Sequence, residues 1–275
     1  MHFQSKFRLF PILLLLLSSA CASLHWQHNQ VLAPGLHWRH SHTEQFFQSK
    51  QNIHVLAVDP QQRRLELAFE TDTFLTTSQF GQNGQALAAM NAGFFKIREG
   101  RGSATYLRVN GQTIDDLPAP GHPRLNGALV LPARGLPRIE YAQPNAVYNA
   151  APADETVLVT GPVLLLNGQS QAMDSTSEFI SHRHPRSCLC TTSRGEALLV
   201  TVDGRHEEAS GMSLFELTDL LKKLRCRNAI NLDGGGSTTL WINGQPDNGV
   251  VNCPSDNRKF DHAGERPVGN VLLVR

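Results

Sequence analysis

Three of the six Asn-Gly dipeptides, Asn110-Gly111, Asn167-Gly168 and Asn243-Gly244, each follow an apolar or β-rich stretch, and they restrict the fold more than any other feature of the chain. Asn-Gly supplies the positive φ values that tight hairpin turns demand. Three such turns imply a protein dominated by antiparallel sheet. Residues 53–58 and 65–69, apolar or alternating on either side of a polar stretch at 59–64, read as a further hairpin. One early strand is expected at 35–39.

Only residues 213–225 carry a strong helical period, with Leu214, Leu217, Leu220, Leu221 and Leu224 at spacings of three and four. Ser213 and Glu216 form a capping box. Lys222, Lys223 and Arg225 put positive charge where the helix dipole favours it. A weaker helix is expected at 77–85. Strand 197–202, the strong helix and strand 229–232 make a crossover unit, which brings the ends of both strands to one sheet edge. The expected fold is α+β: a twisted mixed, largely antiparallel sheet with few helices, the one at 213–225 packed on it. With 275 residues, 40% of them hydrophobic, the chain can bury a full core. Its formal net charge of +1 gives no basic field for nucleic acid, so no nucleic-acid partner is expected.

Lys6 and Arg8 precede an apolar run at 9–17, and small residues Ser18, Ser19 and Ala20 follow. This is the pattern of a secretory signal. The run is shorter than the ~20 apolar residues of a membrane-spanning helix. Ala20-Cys21-Ala22 fits ordinary cleavage, and Cys21 behind small residues resembles a bacterial lipoprotein site, although Ser18 stands where such signals usually carry Leu. Lipidation of Cys21 is the preferred reading, giving an exported protein of the cell envelope, periplasmic or on the outer membrane, held to the membrane by its anchor. The chain then divides into a signal at 1–21, an N-terminal segment at 22–50 and one domain at 51–275. Cys188, Cys190, Cys226 and Cys253 remain, with three possible pairings. Cys188 and Cys190 face one side of a strand, as core thiols or as disulfide partners of Cys226 and Cys253.

The stretch from Asn231 through Leu232 and Asp233 to Gly234, Gly235, Gly236, Ser237, Thr238 and Thr239 directly follows an apolar strand. Three consecutive glycines are costly to order. They suit a backbone that turns sharply and lets a ligand approach, with N–H groups and three hydroxyls available to an anion. No Lys follows, so this is not a nucleotide-type phosphate loop. A tight turn using glycine for geometry alone is the plainer reading. Asp203 and Arg205, in Val202-Asp203-Gly204-Arg205, end the neighbouring strand of the crossover, or form a simple turn pair. Asn91 interrupts an apolar strand. Arg186 abuts strand 187–192 after His182-Arg183-His184-Pro185, where a guanidinium could meet a phosphate. Glu265-Arg266 precedes the last strand, and a surface ion pair there would contribute little.

Taken as a set, these segments resemble the phosphodiester glycosidase family over about 52–275. The resemblance rests on Asn91-Ala92-Gly93-Phe94-Phe95, Gly161-Pro162, Pro185-Arg186-Ser187, Val202-Asp203-Gly204-Arg205, Gly211, the 231–239 stretch and Glu265-Arg266-Pro267-Val268. Cys188-Leu189-Cys190 departs from the small or aliphatic residues usual there. The resemblance implies cleavage between an anomeric carbon and a phosphate oxygen of a sugar-phosphate or glycan substrate. Arg186, Arg205 and the loop after Asp233 would then hold the phosphate, with Glu265 and Arg266 also on the substrate. Asp233 and Asp203, with Asn91, would work at the sugar. Carboxyls about 5 Å apart would favour retention and about 6.5–9.5 Å inversion. No cofactor is required by this scheme, although two such carboxylates can share a divalent cation. The alternative is a non-catalytic carbohydrate-binding or scaffold protein of exopolysaccharide assembly.

Overall fold

The structure, a computed structural model, describes residues 24–117 and 123–275, so the signal segment and Cys21 lie outside it. In chain order these residues form β1 (His28–Ala33), β2 (Leu36–Phe46), β3 (Ser49–Val58), β4 (Leu65–Phe69), α1 (Thr77–Asn83), β5 (Ala88–Asn91), β6 (Leu107–Val109), β7 (Gln112–Asp115), β8 (Gly127–Leu131) and β9 (Arg138–Tyr141). They continue as α2 (Asn145–Asn149), β10 (Thr156–Thr160), β11 (Val163–Leu166), β12 (Gln169–Ser170), α3 (Glu178–Ser181), β13 (Arg186–Thr192), β14 (Ala197–Val202), α4 (Leu214–Lys223), β15 (Cys226–Asn231), β16 (Leu240–Ile242) and β17 (Asn270–Val274).

The strands make an eight-stranded sheet in the order β1-β2-β3-β14-β13-β15-β11-β12, a five-stranded sheet β7-β6-β10-β8-β9 and a four-stranded sheet β16-β5-β17-β4. Every pairing among the described strands is antiparallel. The expected largely antiparallel arrangement with few helices is met, but as three wholly antiparallel sheets in place of one mixed sheet, with four short α-helices among the described residues, so that α+β is refined to a mostly β architecture. The described part of the expected N-terminal segment, 24–50, supplies β1, β2 and the start of β3, so it builds two whole strands of the large sheet where one was expected.

Asn110-Gly111 closes the β6–β7 hairpin and Asn167-Gly168 the β11–β12 hairpin, with positive φ at all four residues. At Asn243-Gly244 only Gly244 has positive φ, at 79°, and the chain turns after β16 without a returning strand. The expected 53–69 hairpin does not form. β3 pairs with β2 and β14, whereas β4 pairs with β17 in another sheet. The two strands still share one core, because Leu56, Val58, Leu65 and Leu67 belong to a single apolar cluster between the sheets. Their burial is satisfied by stacking, and edge pairing is not needed.

The helical reading of 213–225 holds, with α4 capped by Ser213. Its hydroxyl accepts from Glu216 N at 3.2 Å while the Glu216 carboxylate accepts from Ser213 N at 2.9 Å. Leu214, Leu217, Leu220 and Leu221 are fully buried against Cys188, Cys190, Leu198 and Val200. Four such leucines contribute about 6–12 kcal/mol of gross transfer free energy. The large sheet thus lies between α4 on one face and the two smaller sheets on the other.

Among the possible pairings the structure forms Cys190–Cys226, which ties β13 to β15 across 36 residues; Cys188 and Cys253 are buried thiols. Closing a loop of that length restricts the unfolded chain, so Cys190→Ala with Cys226→Ala should lower stability by roughly 2–4 kcal/mol in urea denaturation. Adding reductant should lower the wild type similarly and leave the double variant unchanged.

Candidate active site

β14 and β15 each run antiparallel to β13, which lies between them, so the two are parallel and end at one edge. Arg186 opposes Val202 and Cys188 opposes Asn231 in register. Continuing those ladders sets Asp233 beside Arg186, and Asp203 follows Val202. The crossover expectation for the two strand ends is met, with Asp203 and Asp233 at the same sheet edge, and the antiparallel β13 between them starts there with Arg186.

The loop carrying Asp233 is fixed by Asn91 at the end of β5. Asn91 Nδ2 donates to the Asp233 carbonyl at 2.6 Å, and Oδ1 accepts from Ser187 Oγ at 2.6 Å and Thr239 N at 3.1 Å. Asp233 N donates to Ala92 O at 2.8 Å. The backbone then turns through Gly235, whose φ of 62° disfavours any side chain, and it brings Gly236 against Arg266 and Asp256 where a Cβ would collide. Most loop N–H groups are spent inside the fold: Gly234 N on Asp233 Oδ1 at 2.9 Å, Gly235 N on Pro185 O at 2.9 Å and Thr238 N on Gly235 O at 3.2 Å. Ser237, Thr238 and Thr239 are 0% exposed, and the Thr238 and Thr239 hydroxyls have no hydrogen-bond partner among the described residues. The glycine loop therefore shapes the site without lending it the hydroxyl and N–H cradle expected from sequence.

Cationic side chains stand in front of it. Arg205, Arg258 and Arg266 line an open pocket of about 480 Å³ together with Ser255 and Asp256. The Arg205 guanidinium packs against Gly235 and that of Arg266 against Gly236, so both stand directly in front of the loop. Arg266 pairs with Asp256, whereas Arg205 and Arg258 have no carboxylate at ion-pair distance among the described residues. Asp233 is partly exposed beside this pocket. Burial pushes its carboxyl up to about 6, against the pull of the Ser237 hydroxyl, the Gly234 N–H and the charges of Arg266 and Arg205. Arg258, Asp256 and Ser255 were not expected from sequence. Their turn-rich stretch, Pro254-Ser255-Asp256-Asn257-Arg258, was the available signal.

Arg186, by contrast, is 1% exposed. Its Nε donates to Met212 O at 2.8 Å, its Nη2 to Phe179 O at 2.7 Å and His182 O at 3.0 Å, and it lies over the Phe179 ring. Burial and the nearby Arg205 charge hold its pKa below the ordinary arginine value. Asp203 is also 1% exposed, with Oδ1 accepting from Asn252 Nδ2 at 2.7 Å and Oδ2 from Asn52 Nδ2 at 2.7 Å and Cys253 N at 2.8 Å. Burial raises its carboxyl to about 6 against those three donors. Neither residue lines the pocket. Glu265 points elsewhere, accepting from Ser78 N at 3.0 Å and Ser78 Oγ at 2.6 Å in the first turn of α1. No group of three or more His, Cys, Asp or Glu suited to a metal ion stands among the described residues.

The two arginines make opposite predictions. Lys cannot reproduce a fork that spans three carbonyls, so Arg186→Lys should cost roughly 2–4 kcal/mol in urea denaturation. Arg205→Ala should change stability by no more than about 0.5 kcal/mol. It should instead weaken inorganic phosphate binding in calorimetry, about tenfold or more for a lost charge-assisted contact.

Residues 84–275 match the family profile described as Phosphodiester glycosidase. The human N-acetylglucosamine-1-phosphodiester alpha-N-acetylglucosaminidase is 35% identical over 88 residues, 32% of this chain and 16% of that protein. A prophage-derived protein of Bacillus subtilis is 35% identical over 79 residues, 29% of this chain and 12% of that one. The chain thus aligns with under a fifth of the length of these curated relatives. In fold, the zebrafish N-acetylglucosamine-1-phosphodiester alpha-N-acetylglucosaminidase catalytic domain, auto-inhibited by its pro-peptide, superposes with a TM-score of 0.68 at 18% identity, covering 92% of this chain and 87% of that domain. A hypothetical protein from Synechocystis gives 0.61 at 15% identity, covering 88% and 62%. With the family profile spanning well over half its length, the chain belongs to the phosphodiester glycosidase family.

Proposed function

We propose that the protein is an exported hydrolase that cleaves the bond between an anomeric carbon and a phosphate oxygen in a sugar-1-phosphodiester of the cell envelope or its exopolysaccharide. The observation that carries this reading is Asp233, a partly exposed residue whose carboxyl is shifted by burial to about 6, set beside a pocket lined by three arginines. Arg205, Arg258 and Arg266 would take the phosphate, with charge-assisted bonds that strengthen as negative charge builds on the departing oxygen. A phosphate monoester leaves readily, its second pKa being near 6. The strong general acid of an ordinary glycosidase is then less needed. Asp233 as carboxylate would take a proton from water as that water attacks the anomeric carbon. The C–O bond breaks with its electron pair going to the phosphate, and sugar and phosphate monoester result. Asn91 acts as a positioning residue, and Arg186 and Asp203 hold the walls of the site.

Export and anchoring belong to the same proposal. The signal pattern at 1–21 and Cys21 support it, as does a disulfide of the kind that persists in oxidising compartments. No helix among the described residues is long and apolar enough to cross a membrane.

Purified protein should hydrolyse at least one member of a panel of sugar-1-phosphodiesters, assayed with and without chelator. Asp233→Asn should lower kcat by about 10²–10⁴-fold, the usual share of a general base, with the melting temperature little changed. Binding without turnover across the whole panel would replace this reading with that of a non-catalytic scaffold.

The acidity gives a separate test. Because burial favours the protonated form of Asp233, the active carboxylate should be lost as pH falls through its folded pKa. A plot of kcat/KM against pH should drop on the acid side with a midpoint at about 6. A flat profile from pH 5 to 8 would remove Asp233 from the role of base.

A further inference from the structure

At the opposite end of the same strands lies a second cleft, of about 730 Å³. Trp26, Arg39, Arg194, Glu196, Lys223 and Arg225 line it, placing four cationic side chains against one carboxylate. In a chain whose formal net charge is +1, that is a concentrated patch. Arg39 lies over the Trp26 ring, 4.8 Å from its centroid, and its Nε is enclosed with no hydrogen-bond acceptor among the described residues. No ion pair is formed by Arg39, Arg194 or Arg225 among those residues. The walls are firmly set: Arg225 precedes Cys226 of the disulfide, and Arg194 sits in the turn between β13 and β14. That turn and the arginine pocket are separated by the length of β14, six residues or about 17 Å.

The geometry points to this cleft as a second anion site, one that receives the phosphate of an anionic phospholipid headgroup and seats the domain with its arginine pocket facing away from the membrane. The described chain begins in the cleft, at Leu24, which lines it. Cys21 is three residues earlier, within about 11 Å of extended chain. The inference rests on the lipid-anchor reading above, since an acyl chain on Cys21 would hold this end at the bilayer. An aromatic ring beside cationic side chains is the composition expected of a protein surface at the headgroup level. Juxtamembrane Lys and Arg are drawn to anionic lipid within a Debye length.

The full chain carrying Cys21→Ser, so that no acyl chain contributes, is mixed with vesicles of phosphatidylcholine alone or with one quarter phosphatidylglycerol, and binding is read by co-flotation. Preference for the anionic vesicles is expected, weakening with salt and falling roughly tenfold in Arg194→Glu, which reverses one charge. Arg39→Gln should weaken it as well, and phosphodiester hydrolysis should be unchanged in both variants. Equal binding to the two vesicle types, or a preference untouched by both substitutions, overturns the proposal. Loss of hydrolysis in the wild type with the vesicle preference intact would count against the proposed activity and leave this cleft as assigned.

Discussion

The site depends on one buried amide. Asn91 belongs to the four-stranded sheet, yet its side chain bonds to Ser187 of β13, to the Asp233 carbonyl past the end of β15 and to the Thr239 N–H where the chain turns back towards β16. A buried amide left without these partners would carry a desolvation penalty of about 1–3 kcal/mol for each lost group. Two sheets are therefore locked in one relative placement, and the three-glycine loop has little freedom despite its composition. An apolar residue at position 91 would pack, but it would not fix where Asp233 emerges.

Residue types that look equivalent in the sequence are sorted by what surrounds them. Arg186 and Arg205 both sit at the sheet edge, but Arg186 is enclosed by backbone carbonyls and holds α3 and the approach to α4 against β13. Arg205 stays exposed with its charge unpaired. Asp203 and Asp233 share a raised carboxyl pKa, and here too the neighbours differ. Three donors saturate Asp203 and bind it to the 252–253 segment, whereas Asp233 feels Arg266 and the unpaired Arg205 of an open pocket. The fold uses one acid and one arginine to build walls and leaves the other pair accessible.

Much of this was legible in the sequence, and the limits follow from how local each signal is. Asn-Gly turns, the leucine period of α4 and its capping box act within a few residues, and they place two hairpins and the helix. The crossover rule then brings the strand ends carrying Asp203 and Asp233 to one edge, whereas Arg186 reaches it through the antiparallel pairing of β13. Contacts between distant segments were not readable. The 53–58 and 65–69 strands look like a hairpin because nothing between them announces that the chain changes sheet. The clamp on Arg186 needs Met212 and Phe179, and the bonds to Asp203 need Asn52 and Asn252, all set by tertiary packing. Arg258 and Asp256 lie in an irregular loop without periodicity, so only the folded chain brings them to Arg205 and Arg266.

If Asn91 works only by holding Asp233 in place, the two residues act as one unit in catalysis. The most direct measurement is a double-mutant cycle in kcat on a hydrolysed phosphodiester, using Asn91→Ala, Asp233→Asn and their combination in variants that keep the wild-type circular dichroism. The account predicts that the double variant loses no more activity than Asp233→Asn alone. Losses that multiply would mean that Asn91 and Asp233 contribute independently, and would contradict it.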